Sequence, residues 1–121
     1  MRFLVVDDSA MMRRMIIKAL NGVGHEDVKE AGNGKEGLDS LAQGGIDMIL
    51  TDWNMPQMSG LEFVKALRAI DATSTTPVLM VTTNVSADDL AAAKEAGIND
   101  YVSKPFTSDV LKEKIEKVLR G

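Results

Sequence analysis

Phe3-Leu4-Val5-Val6-Asp7-Asp8-Ser9 decides how the rest of the chain is read. Four apolar residues in a row, with no polar alternation, suit a strand buried on both faces of a parallel sheet. Two acids then appear together, and Ser9 can cap a following helix. Strand, acidic turn, helix is the opening of an α/β unit.

The same rhythm repeats along the chain. Met12, Met15, Ile16, Ala19 and Leu20 recur at helical spacing, and Gly22 and Gly24 end that helix. Asp27 to Ala31 is a more polar strand, placed nearer a sheet edge. Asn33-Gly34 signals a turn. A short helix begins at Glu36 to Leu41 and closes at Gly44-Gly45. Asp47 to Thr51 is the third strand and ends at Asp52. Trp53 to Gly60, with Pro56, is a loop before a helix presenting Leu61, Val64, Leu67 and Ile70. Thr73 to Thr76 is a loop, and Pro77 opens the strand Val78 to Val81. Ser86 caps a helix through Leu90 to Ala93 that Gly97 stops. Ile98 to Val102 is the fifth strand. Thr107 or Ser108 caps a last helix carrying Val110, Leu111, Ile115, Val118 and Leu119. Alternating strands and helices predict a doubly wound parallel sheet with right-handed crossovers.

Bulk properties narrow the function classes. The chain has 121 residues, enough for one domain with a core. It has no cysteine, which excludes disulfides and thiolate chemistry and is compatible with the cytoplasm. A net charge of −4 argues against nonspecific nucleic-acid binding. No apolar run reaches membrane-spanning length, and the start lacks a signal-peptide core. No repeat or linker interrupts the pattern. Residues 1–121 are expected to be a single domain, with no room for an output domain after the last helix.

Polar clusters follow four of the strands: Asp7-Asp8, Asp52, Thr82-Thr83 and Lys104-Pro105. Strand carboxyl ends share one edge in such a sheet, so these residues are expected to meet there. Each alone has an ordinary explanation as a turn acid, a β-branched strand residue or a solvated lysine. Together they suit a divalent cation and a phosphoryl group. Crowded carboxylates need a counter-charge, and Mg²⁺ takes oxygen ligands while keeping sites for waters and phosphate. Asp52 is then a carboxylate nucleophile forming an acyl phosphate. Of the two threonines, Thr82 directly follows the apolar run and is the better hydroxyl donor. Lys104 supplies a mobile positive charge, and a cis Lys104–Pro105 bond would aim it inward.

These segments, with Met12-Arg13-Arg14, Thr51-Asp52-Trp53-Asn54-Met55-Pro56 and Tyr101-Val102-Ser103-Lys104-Pro105-Phe106-Thr107, resemble the response-regulator receiver domains of two-component signalling. The likeness spans essentially the whole chain and is strongest to the stand-alone chemotaxis regulators. It implies a flavodoxin-like fold, with five strands in order 2-1-3-4-5 flanked by five helices. It implies Asp52 as phosphoacceptor, with Asp7, Asp8, Asp52 and the Asn54 backbone carbonyl as Mg²⁺ ligands. Thr82 becomes the switch hydroxyl, Lys104 the phosphate-pairing lysine and Tyr101 the aromatic switch. Asn54 and Asn84 match positions that tune acyl-phosphate lifetime. The resemblance further implies a monomeric binding module, not a conventional enzyme. Its partners would be a chemotaxis-type histidine kinase, a flagellar motor switch protein and a phosphatase. A single-domain phosphorelay intermediate or phosphate sink is the alternative.

Two rival classes fit less well. An aspartate-nucleophile phosphatase needs Asp-x-Asp after the first strand, where this chain has Asp7-Asp8-Ser9-Ala10. A flavin carrier wants a Ser/Thr-rich phosphate loop there, and aromatic residues make up only 4% of the chain. His25, the sole histidine, reads as a solvated loop residue. Trp53 lies beside the site as a local optical reporter. The eight methionines read mostly as core filler.

Overall fold

The computed structural model describes residues 1–120. Its elements alternate throughout: β1 (Phe3–Val6), α1 (Ala10–Asn21), β2 (Val28–Ala31), α2 (Gly34–Ala42), β3 (Met48–Thr51), α3 (Gly60–Arg68), a 3₁₀ turn (Asp71–Thr73), β4 (Val78–Thr82), α4 (Ala87–Ala96), β5 (Asp100–Ser103) and α5 (Ser108–Arg120). The strands form one parallel sheet in the order β2-β1-β3-β4-β5. This is the flavodoxin-like arrangement that the family resemblance implies.

The apolar runs explain why the sheet is central. β1 and β3 are buried at every position, and successive residues feed opposite cores. Leu4, Val6 and Ile49 pack with Phe63, Val64 and Leu67 of α3 and with Leu41 and Ala93. Phe3, Val5 and Leu50 pack with Ile16 and Leu20 of α1 and with Leu111 and Ile115 of α5. Helices α2, α3 and α4 therefore cover one face, while α1 and α5 cover the other. β2 is the more polar edge strand, as expected.

Local signals set the helix starts. The side chains of Ser9, Asn33, Ser59 and Ser86 each accept a backbone N–H in the first turn of the helix that follows. Ser59 and Glu62 complete a capping box. Asn33 is thus a helix cap and not only a turn residue, and α2 begins at Gly34, ahead of the expected Glu36. Thr107 is the cap of α5, since its hydroxyl accepts the Val110 N–H at 3.2 Å.

Several expectations need correction. β5 starts at Asp100 rather than Ile98, and the Thr73–Thr76 loop is entered through a 3₁₀ turn. Met15, Ile70 and Val110 fall at helical spacing with core residues, yet they are 46%, 44% and 45% exposed. Met15 and Val110 lie at the margin of a helical apolar stripe, where a neighbouring element rather than periodicity decides burial, and Ile70 lies beyond the end of α3 at Arg68. His25 is half-buried against Phe3, with ring centroids 4.7 Å apart, and is not a solvated loop residue.

Candidate functional site

The backbone ladder carries each polar cluster to one edge of the sheet. The register pairs Val6 with Thr51 and Thr82 with Ser103. Pairing continues one residue past the strands: Asp7 N–H donates to the Ala31 carbonyl (3.1 Å), Asp52 N–H to Val6 (2.9 Å) and Lys104 N–H to Thr82 (2.8 Å). Asp7, Asp52 and Lys104 are therefore placed by sheet hydrogen bonds, not by loop conformation.

Their side chains converge. Asp7, Asp8 and Asp52 each bring a carboxylate oxygen within 4.8 Å of the others. Lys104 Nζ lies 3.3 Å from Asp7 Oδ2 and 3.2 Å from Asp52 Oδ1. Asp7 and Asp52 are buried, at 1% and 7% exposure, while Asp8 faces solvent. The Lys104–Pro105 peptide is cis.

Burial dominates the electrostatics of Asp7. It pushes the carboxyl above its ordinary range, the Asp52 charge adds to this, and the Ser9 N–H and the Lys104 ammonium work against it. Three carboxylates around one lysine remain short of positive charge. The donor set is oxygen only, with no sulfur or imidazole, so it fits a hard divalent cation.

The rim is defined by the loops after β3 and β4. Trp53 N–H donates to Asp52 Oδ1 at 2.7 Å, which fixes that carboxylate's orientation. Thr82 is fully buried, and its hydroxyl oxygen accepts the Asn84 N–H at 2.9 Å. Thr83, the other candidate, is exposed. Asn54 Nδ2 donates to Asn84 Oδ1 at 3.0 Å across the mouth. Tyr101 is half-exposed on β5, in register with Met80.

The sequence does not reveal what two residues do at this site. Arg13 donates through its guanidinium to the Asp7 backbone carbonyl and pairs with Glu30 at 2.9 Å. It braces the acidic turn. A cation in the first turn of a helix opposes the macrodipole, and that misfit was the available signal. Gly60 is the other. Its N–H donates to the Trp53 carbonyl at 2.7 Å, and a Cβ there would strike the Asp52 carbonyl. Only glycine lets the loop after β3 fold this closely onto Asp52.

The family model described as "Response regulator receiver domain" matches residues 3–116. The "Chemotaxis protein CheY homolog" of Campylobacter jejuni is 48% identical over 120 residues, spanning 98% of this chain and 92% of that protein. Among solved structures, Vibrio cholerae chemotaxis protein CheY4 superposes with a TM-score of 0.91 at 37% identity, covering 97% of each chain. The receiver domain of a sensor histidine kinase from Pseudomonas aeruginosa PAO1 superposes with a TM-score of 0.89 at 25% identity, covering 99% of this chain and 98% of that one. That structure has a magnesium ion coordinated in its active-site cleft.

Proposed function

The chain belongs to the response-regulator receiver family, and we propose that it is a phosphorylation-controlled signalling module whose Asp52 accepts a phosphoryl group from a histidine kinase. The observation that carries this reading is the contact of Lys104 Nζ with both Asp52 and Asp7, beside the exposed acid Asp8.

One Asp52 oxygen attacks the phosphorus of a phosphohistidine. The O–P bond forms as the P–N bond breaks. The bonding pair stays with the imidazole, which leaves as a neutral ring when its other nitrogen carries a proton. Trp53 N–H holds the Asp52 carboxylate in place for this displacement. Lys104 is close enough to exchange its Asp52 contact for a phosphoryl oxygen, and the Thr82 hydroxyl donates to another. Asp7, Asp8, Asp52 and the Asn54 backbone carbonyl would hold Mg²⁺. Once bound, the ion offsets phosphoryl charge and helps align the displacement. The likeness to chemotaxis regulators assigns the phosphotransfer to the cytoplasm.

Phosphorylation adds charge and acceptor oxygens at the sheet edge. As Thr82 turns towards them, Tyr101 moves inward and the surface of α4, β5 and α5 changes. Binding differences between two pre-existing states then carry the signal. The likeness to chemotaxis regulators points to a chemotaxis-type kinase as donor and a flagellar motor switch protein as target, with a phosphatase resetting the system.

The test is mass spectrometry of protein incubated with acetyl phosphate, with Mg²⁺ or with EDTA. We expect one added phosphoryl group, mapped to Asp52, and none in EDTA. Equal labelling in EDTA, or a label mapped to another residue, would overturn the assignment.

A further inference from the structure

β5 is an edge strand, so groups on its two faces can meet round its open side. Tyr101 packs against the core beneath α3 and α4, while its neighbour Val102 belongs to the α1 and α5 side. Lys114 of α5 reaches round that edge. Its ammonium lies 5.5 Å from the centre of the Tyr101 ring and 3.4 Å from both carboxylate oxygens of Asp100. Asp100 is mostly buried, at 15% side-chain exposure. It also accepts the Tyr101 N–H through Oδ1 at 2.8 Å. One carboxylate thus holds both the backbone of the tyrosine and the cation beside its ring. Lys117 approaches the same carboxylate at 3.7 Å, but its side chain is 67% exposed.

We infer that Lys114 and Asp100 are positioning residues for Tyr101: they hold its ring at the β5 edge and so set how readily it turns inward on phosphorylation. The inference rests on the proposal that Tyr101 is the switch aromatic. A ring that turns towards Thr82 gives up the face-on ammonium, whereas the Lys114–Asp100 pair survives the move. The contact therefore stabilises the resting position alone. An interaction that favours only one of two states shifts their ratio by its full strength.

The chain has a single tyrosine, so 3-fluorotyrosine gives one ¹⁹F resonance. That resonance is followed while Mg²⁺-saturated protein is titrated with beryllofluoride, an aspartyl-phosphate mimic. Lys114→Met is expected to move the free-state resonance towards its loaded position. It should also lower the half-saturating beryllofluoride concentration roughly two- to fivefold, the strength of a partly exposed cation–π contact. Lys114→Arg keeps a cation over the ring and should restore the wild-type midpoint. Asp100→Asn should shift it in the same direction as Lys114→Met. Lys117→Met makes the same change in net charge away from the ring and should leave it alone. The midpoint matters because loss of a nearby charge perturbs a ¹⁹F shift even with no change in ring position. A wild-type midpoint in Lys114→Met, or an equal change in Lys117→Met, overturns the clamp while leaving the role of Tyr101 intact. If beryllofluoride leaves the wild-type resonance where it was, the role of Tyr101 and the clamp fall together.

Discussion

Strand β3 is flanked by two aspartates that differ in their exposure to solvent. Asp47, before the strand, is exposed and accepts the Arg2 N–H at 2.7 Å. Nearby, Arg2 pairs with Asp27 at 3.1 Å, with side chains 40% and 56% exposed. Asp52, after the strand, is buried at 7% exposure and shares one lysine with a second buried acid. Residue types and contact distances are alike at the two ends. Solvent makes the difference: water screens the N-terminal cluster, whereas at the other end each charge needs a partner that the chain supplies only in part. That deficit is what makes the carboxyl edge a site.

The largest effect that sharpens this contrast is chemical. Asp52→Asn removes the nucleophile and should cut labelling by acetyl phosphate on the order of a thousandfold or more. Asp47→Asn, one strand length away, should label like wild type in the same mass-spectrometric assay. Equal loss in both variants would mean that an aspartate beside β3 acts through the fold rather than through reaction.

Next is the lysine. Lys104→Met leaves Asp7 and Asp52 facing each other, and urea unfolding should show a loss of about 2 kcal/mol, below the value for a fully enclosed pair because the Lys104 side chain keeps 16% exposure at the rim of the site. Lys104→Arg should label normally yet fail to pass the signal to a target. A planar fork does not reproduce the placement of an ammonium, so target binding by the phosphorylated variant is the measurement.

Much of this contrast is legible in the sequence. Asp7, Asp8, Asp52 and Lys104 each follow a strand-like run, and parallel topology carries such residues to one edge. Thr82 outranked Thr83 because it directly follows the apolar stretch, and it is the buried one of the two. What the sequence withheld needs a third dimension. Arg13 reaches back to the Asp7 carbonyl from the first turn of α1. Gly60 is required because the loop after β3 presses on Asp52. Lys114 meets Tyr101 only by wrapping an edge strand. Periodicity assigns a helix its face, but neither the width of the stripe that neighbours cover, which leaves Met15 and Val110 exposed, nor the residue at which the helix stops, which leaves Ile70 exposed beyond Arg68.

The pH dependence of Asp7 separates the two ends in another way. Burial raises its carboxyl in the folded state, so the folded protein binds that proton more tightly than the unfolded chain does. The stabilising contribution is complete below the unfolded value and is lost as pH rises through the folded one. In metal-free protein at a pH above the unfolded value, burying Asp7 therefore costs stability. Asp7→Asn keeps an oxygen acceptor for the Ser9 N–H and drops the charge. It should raise the urea midpoint at pH 7 in EDTA, with the gain shrinking towards pH 4. A gain that grows on acidification would reverse the sign and remove the charge-deficit argument.

The smallest effect belongs to the far end. Asp27→Asn breaks the ion pair with Arg2, yet both side chains already lie in water. Their attraction is screened, and holding two long side chains together costs entropy that offsets it. The expected change is within about 0.5 kcal/mol at low salt and smaller still at 1 M salt. The same salt should leave the Lys104→Met deficit largely in place, because counter-ions do not reach groups buried as Asp7 and Asp52 are. Urea unfolding of both variants at two ionic strengths checks the point. If salt erased the two differences equally, burial would not be what distinguishes the edges of this sheet.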